Sequence, residues 1–185
     1  MSGIGHNGGP QMKGLTYRTH LWRKARLATV PTLPLAVIRM RVRRAAELGL
    51  DYRAYDSIRA QSGRDVVAFL YSSNALRLTP NAPAMPEDRA TLLATQKAAR
   101  GALVHRPLAA PAVARANPVL DHADPAPRFT DTWSAMRDHL AAALADRALH
   151  RRATILVGET AFEAEWAAAA RLAGYLPADR VFGHA

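Results

Sequence analysis

The chain has 185 residues, enough for one sizeable domain or a domain with a small helical appendage, and 49% of them are apolar, as befits a chain that buries a core. It holds no cysteine, which excludes disulfides, thiolate metal sites and a cysteine nucleophile. The formal charge is +10 and lopsided: 12 basic and 3 acidic residues precede Asp65, against 13 and 12 from Asp65 onward. Such asymmetry points to an acidic partner for the first third, either nucleic acid or an acidic protein. The alternative is a solvated arginine-rich face, since Arg outnumbers Lys 22 to 3 throughout and reflects a compositional habit.

Residues 1–14 are rich in glycine and read as a flexible leader. The leader lacks the apolar stretch of a secretory signal, and its glycines lack the strand, helix and Lys-Ser/Thr of a phosphate loop. No apolar run of membrane-spanning length occurs, so a cytoplasmic protein without a membrane partner is expected. Thr16 to Thr29 predicts a short helix with Leu21, Trp22 and Leu27 on its apolar side, stopped by Pro31. A second helix opens at Pro34, with Leu35, Ile38, Val42 and Ala45 at helical spacing, and stops at Gly49. A third runs from Tyr52 to Gln61, ended by Ser62 and Gly63. The expected division is a leader at 1–14, a basic helical region at 15–63 and an α/β domain at 64–185.

From Asp65 to Tyr71 the apolar run DVVAFLY reads as a buried strand. The segment from Pro80 to Pro86 is a loop. Glu87 to Arg100 predicts a helix, Gly101 its end, and Ala102 to His105 a short strand. Residues 106–128 are proline-rich and predict an irregular connection with one helical turn near Ala112. Thr130 reads as the cap of a helix carrying Trp133, Met136, Leu140 and Leu144. Thr154 to Val157 is the clearest later strand. Thr160 and Glu163 form a capping box, opening a helix with Phe162, Trp166, Ala169 and Ala173 on one face and Gly174 at its end. Arg180 to Phe182 predicts a small edge strand. The tryptophans are expected in cores. Strands alternating with helices give an α/β fold: a small, mainly parallel sheet of three to four strands with flanking helices, preceded by the basic helical region.

Three groups of residues bear on function. The run AAELGLDYRAYDSIRA resembles a repressor-type helix-turn-helix, with Ala45 at the helix contact, Gly49 at the turn and Ile58 inside the second helix. The resemblance implies that Tyr52, Arg53, Asp56 and Ser57 face a major groove and that Arg41, Arg43 and Arg44 lie near phosphates. Arg44 stands where an apolar residue is usual, Tyr55 is large, and Asp51 and Asp56 oppose DNA; a structural hairpin at a glycine is the alternative. The second group lies at the carboxyl ends of the predicted strands, where open parallel sheets bind ligands. It offers Ser73 as nucleophile, His105 as base and the carboxylate of Glu159, or equally an anion-binding cluster. The competing reading is capping, because Ser, Asn and Thr cap helices after strands and no Gly-x-Ser-x-Gly or Gly-x-Gly-x-x-Gly is present. In the third group, Asp121, His122 and Asp124, with His139 and His150, match no zinc spacing and read as a solvated loop, so no metal or cofactor is expected.

The leader MSGIGHNGGP, the run GRDVVAFLYSSNALRL, and VGETAFEAEW with LAGYLP resemble a group of alphaproteobacterial proteins that share a GIGHN leader. The resemblance implies a bacterial, cytoplasmic setting and transfers no functional residue. Three readings follow: a nucleic-acid-binding or regulatory protein, an α/β enzyme or ligand binder, and an interaction module without chemistry.

Overall fold

A computed structural model describes residues 33–183 of the chain. The leader and the helix expected over residues 16–29 lie outside the described residues. The chain divides into two units, residues 1–38 and 39–185. In the first, the Pro34 carbonyl accepts the amides of Val37 and Ile38, which starts helix α1 (Leu35–Glu47) where the proline predicted it.

In the second unit, α1 runs to Glu47 and the chain turns at Gly49, whose φ of 68° is the left-handed conformation that closes a helix. Asp51 then caps α2 (Tyr52–Ser62) by accepting the Ala54 amide at 2.9 Å. Beyond it come β1 (Ala68–Ser72), α3 (Glu87–Thr95), β2 (Ala99–Val104), α4 (Ala110–Ala116), β3 (His122–Pro125), α5 (Trp133–Ala145), β4 (Thr154–Gly158), α6 (Ala161–Ala170), β5 (Gly174–Pro177) and α7 (Ala178–Phe182). The five strands form one all-parallel sheet in the order β3-β2-β1-β4-β5.

Period-two alternation splits the sheet's side chains between two cores. Phe69, Tyr71, Ala102, Val104, Ile155 and Val157 face a layer containing Leu48, Tyr55, Ile58, Leu93, Val113 and Phe182. Leu70, Leu103 and Leu156 face Met136, Leu140, Leu144 and Trp166 of α5 and α6. A central parallel strand buried on both faces reads as an unbroken apolar run, which is why AFLYS and TILVG carry so clear a signal. The chain builds β1, β2 and β3 outward, then α5 carries it back to β4 on the other side of β1. The strand order therefore reverses between β1 and β4.

Several expectations need correction. The sheet has five strands rather than three to four. β1 begins after the apolar run does, because Asp65 is an anchor: its carboxylate accepts Tyr55 Oη at 2.8 Å and Arg44 Nε at 3.0 Å. The helix from Glu87 stops at Thr95, since Gln96 turns extended and its buried side chain accepts Tyr71 Oη at 2.5 Å and donates to the Leu48 carbonyl at 3.2 Å. Ala99 and Arg100 are already strand residues, paired with Ala68 and Phe69. The proline-rich stretch 106–128 holds both α4 and β3. Pro111 sits in the first turn of α4, where its missing amide is no loss, and Pro125 ends β3. Thr132, not Thr130, caps α5 by accepting the Ala135 amide. α6 ends at Ala170 with Arg171 left-handed, Gly174 opens the edge strand β5, and Arg180 to Phe182 are helical. Trp166 is fully buried as expected, whereas Trp133 is 51% exposed. Of the α1 stripe only Ala45 is buried.

Candidate functional site

β1, β2 and β4 lie side by side, and their carboxyl ends deliver three segments to one place. After β1 come Ser73 and Asn74, after β2 comes His105, and after β4 come Glu159 and Thr160 before α6. The Ser73 hydroxyl lies 2.7 Å from His105 Nδ1 and also accepts the His105 amide at 3.1 Å. The hydroxyl keeps a second lone pair and its one proton, so either Ser73 Oγ or His105 Nδ1 can be the donor in that contact. The other ring nitrogen, Nε2, faces Glu163 Oε1 at 3.5 Å. Burial holds the His105 pKa below its ordinary 6.5 and outweighs the opposing pull of the Glu163 charge. The shift favours the neutral imidazole.

Glu163 is 0% exposed, yet its carboxylate is well supplied with donors. Oε2 accepts the amides of Glu159 at 2.6 Å and Thr160 at 2.9 Å, and Oε1 accepts Asn74 Nδ2 at 3.0 Å. Thr160 completes the predicted capping box by accepting the Glu163 amide at 3.2 Å. Gly158 makes room for this carboxylate, since a Cβ there would lie 2.8 Å from Glu163 Oε2 and 2.9 Å from the Tyr175 ring. The amino end of α6 is therefore already occupied by an anion of the chain itself, which closes that helix end to an external phosphate. Trp166, one turn further along α6, lies 5.1 Å from the His105 ring and meets Phe162 edge-on.

Two of the three strand-end candidates come together, and the third does not. Ser73 and His105 are hydrogen-bonded. Ser73 is only 1% exposed and its hydroxyl is committed to His105, so it orients the ring and presents no open nucleophile. Glu159 is exposed, and Glu163 is the carboxylate beside His105. The capping box had marked Glu163 as a helix-end residue; its nearness to His105 depends on β1 lying between β2 and β4, an order that short motifs do not carry.

The residues assigned to a DNA reader are divided. Arg44 is spent inside the fold, donating to Asp65, Glu47 and the carbonyls of Val66 and Lys97. Arg41 pairs with Asp56 at 2.7 Å. Tyr52 is half-buried, while Arg43, Arg53 and Ser57 are exposed. Tyr55 and Ile58 pin α2 to the sheet, so the hairpin forms part of a layer of the α/β domain. In the histidine-rich segment, Asp124 pairs with Arg147 at 2.8 Å, His139 meets the Pro125 carbonyl at 2.7 Å, and His150 accepts the Arg152 amide at 3.1 Å. Each has a partner within the chain, and no three of these groups converge on a metal site among the described residues.

No family model, curated protein or solved structure matches this chain.

Proposed function

We propose that the protein binds a small ligand at the carboxyl edge of its sheet, with His105 as the group presented to that ligand. The sequence of contacts Ser73–His105–Glu163, a hydrogen bond followed by a 3.5 Å approach across the ends of β1, β2 and β4, carries this reading. A charge buried without function is costly, and hydrophobic replacements are commonly no worse for stability. Here the buried carboxylate accepts hydrogen bonds from the segments after β1 and β4 and faces one imidazole after β2, beside the point where strand order reverses. That is the place where doubly wound sheets take their ligands. Ser73 and Glu163 are positioning residues, and His105, half-buried, is the one member of the chain that reaches solvent.

Ligand-observed NMR with a library of small polar metabolites, followed by chemical-shift mapping, tests the reading. Hits are expected to perturb Asn74, His105 and Thr160 and to weaken in a folded His105→Gln variant. Hits that all map to the opposite edge, around Gln61, Arg152 and Arg171, would overturn it. A nucleic-acid role is favoured by one observation, the exposure of Arg39, Arg43 and Arg53 along the α1–α2 hairpin. It has less support, because Arg41 and Arg44 are neutralised within the fold.

A further inference from the structure

Arg89, in the first turn of α3, is 4% exposed, and its Nε and Nη1 are buried without a hydrogen-bond partner among the described residues. Its guanidinium lies 4.4 Å from the centre of the Phe182 ring of α7. The ring face offers some compensation, but it accepts none of the directed hydrogen bonds that a guanidinium makes. Arginine keeps its proton inside proteins, so it cannot escape burial by neutralising. The neighbouring charges do not settle it either. Asp88 and Glu159 attract it from exposed positions without forming an ion pair, and Arg77 repels it. Burial and that repulsion together depress its pKa. Arg77 itself is held at a φ of 54°, unusual for a residue with a side chain.

The place matters as much as the charge. Arg77 lies in the segment after β1, Arg89 opens the helix that follows it, Glu159 follows β4, and Phe182 lies in the helix after β5. All four lie beyond the carboxyl ends of strands, and the Arg89–Phe182 contact brings the connection after β1 to the helix after β5. Glu159 links this corner to the Ser73–His105–Glu163 chain, because its amide is bound by Glu163. The end of α3 is not itself the attraction, since Glu87 and Asp88 already fill its first turn with negative charge.

We propose that Arg89, assisted by Arg77, is the anchor for an oxyanion group, a phosphate or a carboxylate, on the ligand bound at this edge. The proposal rests on the ligand site inferred above and names the chemical class of what enters it. The bound group supplies the acceptors that the Arg89 guanidinium lacks, and its charge relieves the repulsion from Arg77.

The test titrates the full chain with inorganic phosphate and, separately, succinate, at constant ionic strength with chloride as the reference anion. Binding is read by calorimetry and by the side-chain Nε–H signal of Arg89. One of the two probes is expected to bind and shift that signal, and which one does so identifies the oxyanion. Arg89→Met should weaken binding about tenfold or more, the scale of a lost hydrogen bond to a charged group. Arg77→Met, at an exposed position, should weaken it less and guards against an Arg89 variant that fails to fold. Binding unchanged in Arg89→Met, or in Arg77→Met should the former not fold, would overturn the proposal. So would the absence of any response to either probe at tens of millimolar. If an anion shifts the Arg89 signal but never the His105 ring, the anchor stands and the role given to His105 falls. If library ligands shift His105 while neither anion reaches Arg89, the anchor alone falls.

Discussion

Removing the Glu163 carboxylate is the sharpest perturbation the structure offers. In Glu163→Ala, the amides of Glu159 and Thr160 and the side-chain amide of Asn74 lose their acceptor together. At roughly 1 kcal/mol for each donor left unsatisfied, the loss is about 3 kcal/mol. Glu163→Gln keeps the shape. Its oxygen can serve the two backbone amides, and its NH2 group faces Asn74, whose amide can turn to offer oxygen instead. That variant should lose about 1 kcal/mol, one net hydrogen bond's worth. Urea unfolding followed by circular dichroism separates the two, because the midpoint moves at constant slope when stability alone changes. The 15N shifts of His105 give a second readout, since both variants remove the carboxylate oxygen that faces Nε2 and should move them. An alanine variant within a few tenths of a kcal/mol of the parent, or a glutamine variant as damaged as the alanine one, would refute the account of Glu163 as the hub of three loops.

Acid should destabilise the fold before its carboxylates titrate. Burial holds His105 and His122 below their ordinary 6.5, so the unfolded chain takes up protons first as pH falls through 6.5, and stability that is full above that range drains away below it. His105→Gln and His122→Gln should each flatten part of the decline in urea midpoint between neutral pH and the carboxylate range; a slope unchanged in both variants would exclude these groups. Gly49→Ala forces a side chain into the left-handed region and brings its Cβ to 3.4 Å from Gln96 Nε2, so a loss of about 1–2 kcal/mol is expected in the same assay. Gly158→Ala should do more than strain the chain, because its Cβ collides with Glu163, and the His105 15N shifts should move along with the midpoint. If the α1–α2 hairpin reads nucleic acid, Arg43→Glu with Arg53→Glu should lower duplex affinity and flatten its salt dependence by about 0.9 log units per lost phosphate contact. An unchanged salt slope would remove those residues from any interface.

Much of the sheet was legible because its central strands are buried on both faces, so AFLYS and TILVG carry unbroken apolar runs that no neighbouring helix shares. The capping box at Thr160 and the glycine stop at Gly49 were legible for a different reason, since both are local chemistry closed within a few residues. What escaped was set at a distance. The helix from Glu87 ends early because Gln96 is drawn between Tyr71 and the Leu48 carbonyl, 25 and 48 residues away. β3 hid because its residues HADP are only half-buried and polar, and they become strand by pairing with Gly101 to Val104. At the site, Ser73 and His105 stood out by residue type and position after strands. The choice of Glu163 over Glu159 followed from strand order, which places α6 beside the end of β2 only after the sheet is assembled.

The two outermost strands share a design whose effect lies outside the molecule. β3 and β5 are each four residues long, and each finishes on a proline, Pro125 opposite Val104 and Pro177 opposite Gly158. A proline has no amide to offer and resists extension of a ladder, and a strand so short exposes few free backbone groups. An all-parallel sheet cannot hide its margins by closing on itself at this width. This one guards them instead with brevity and proline, so its edge strands β3 and β5 are poor templates for a second chain.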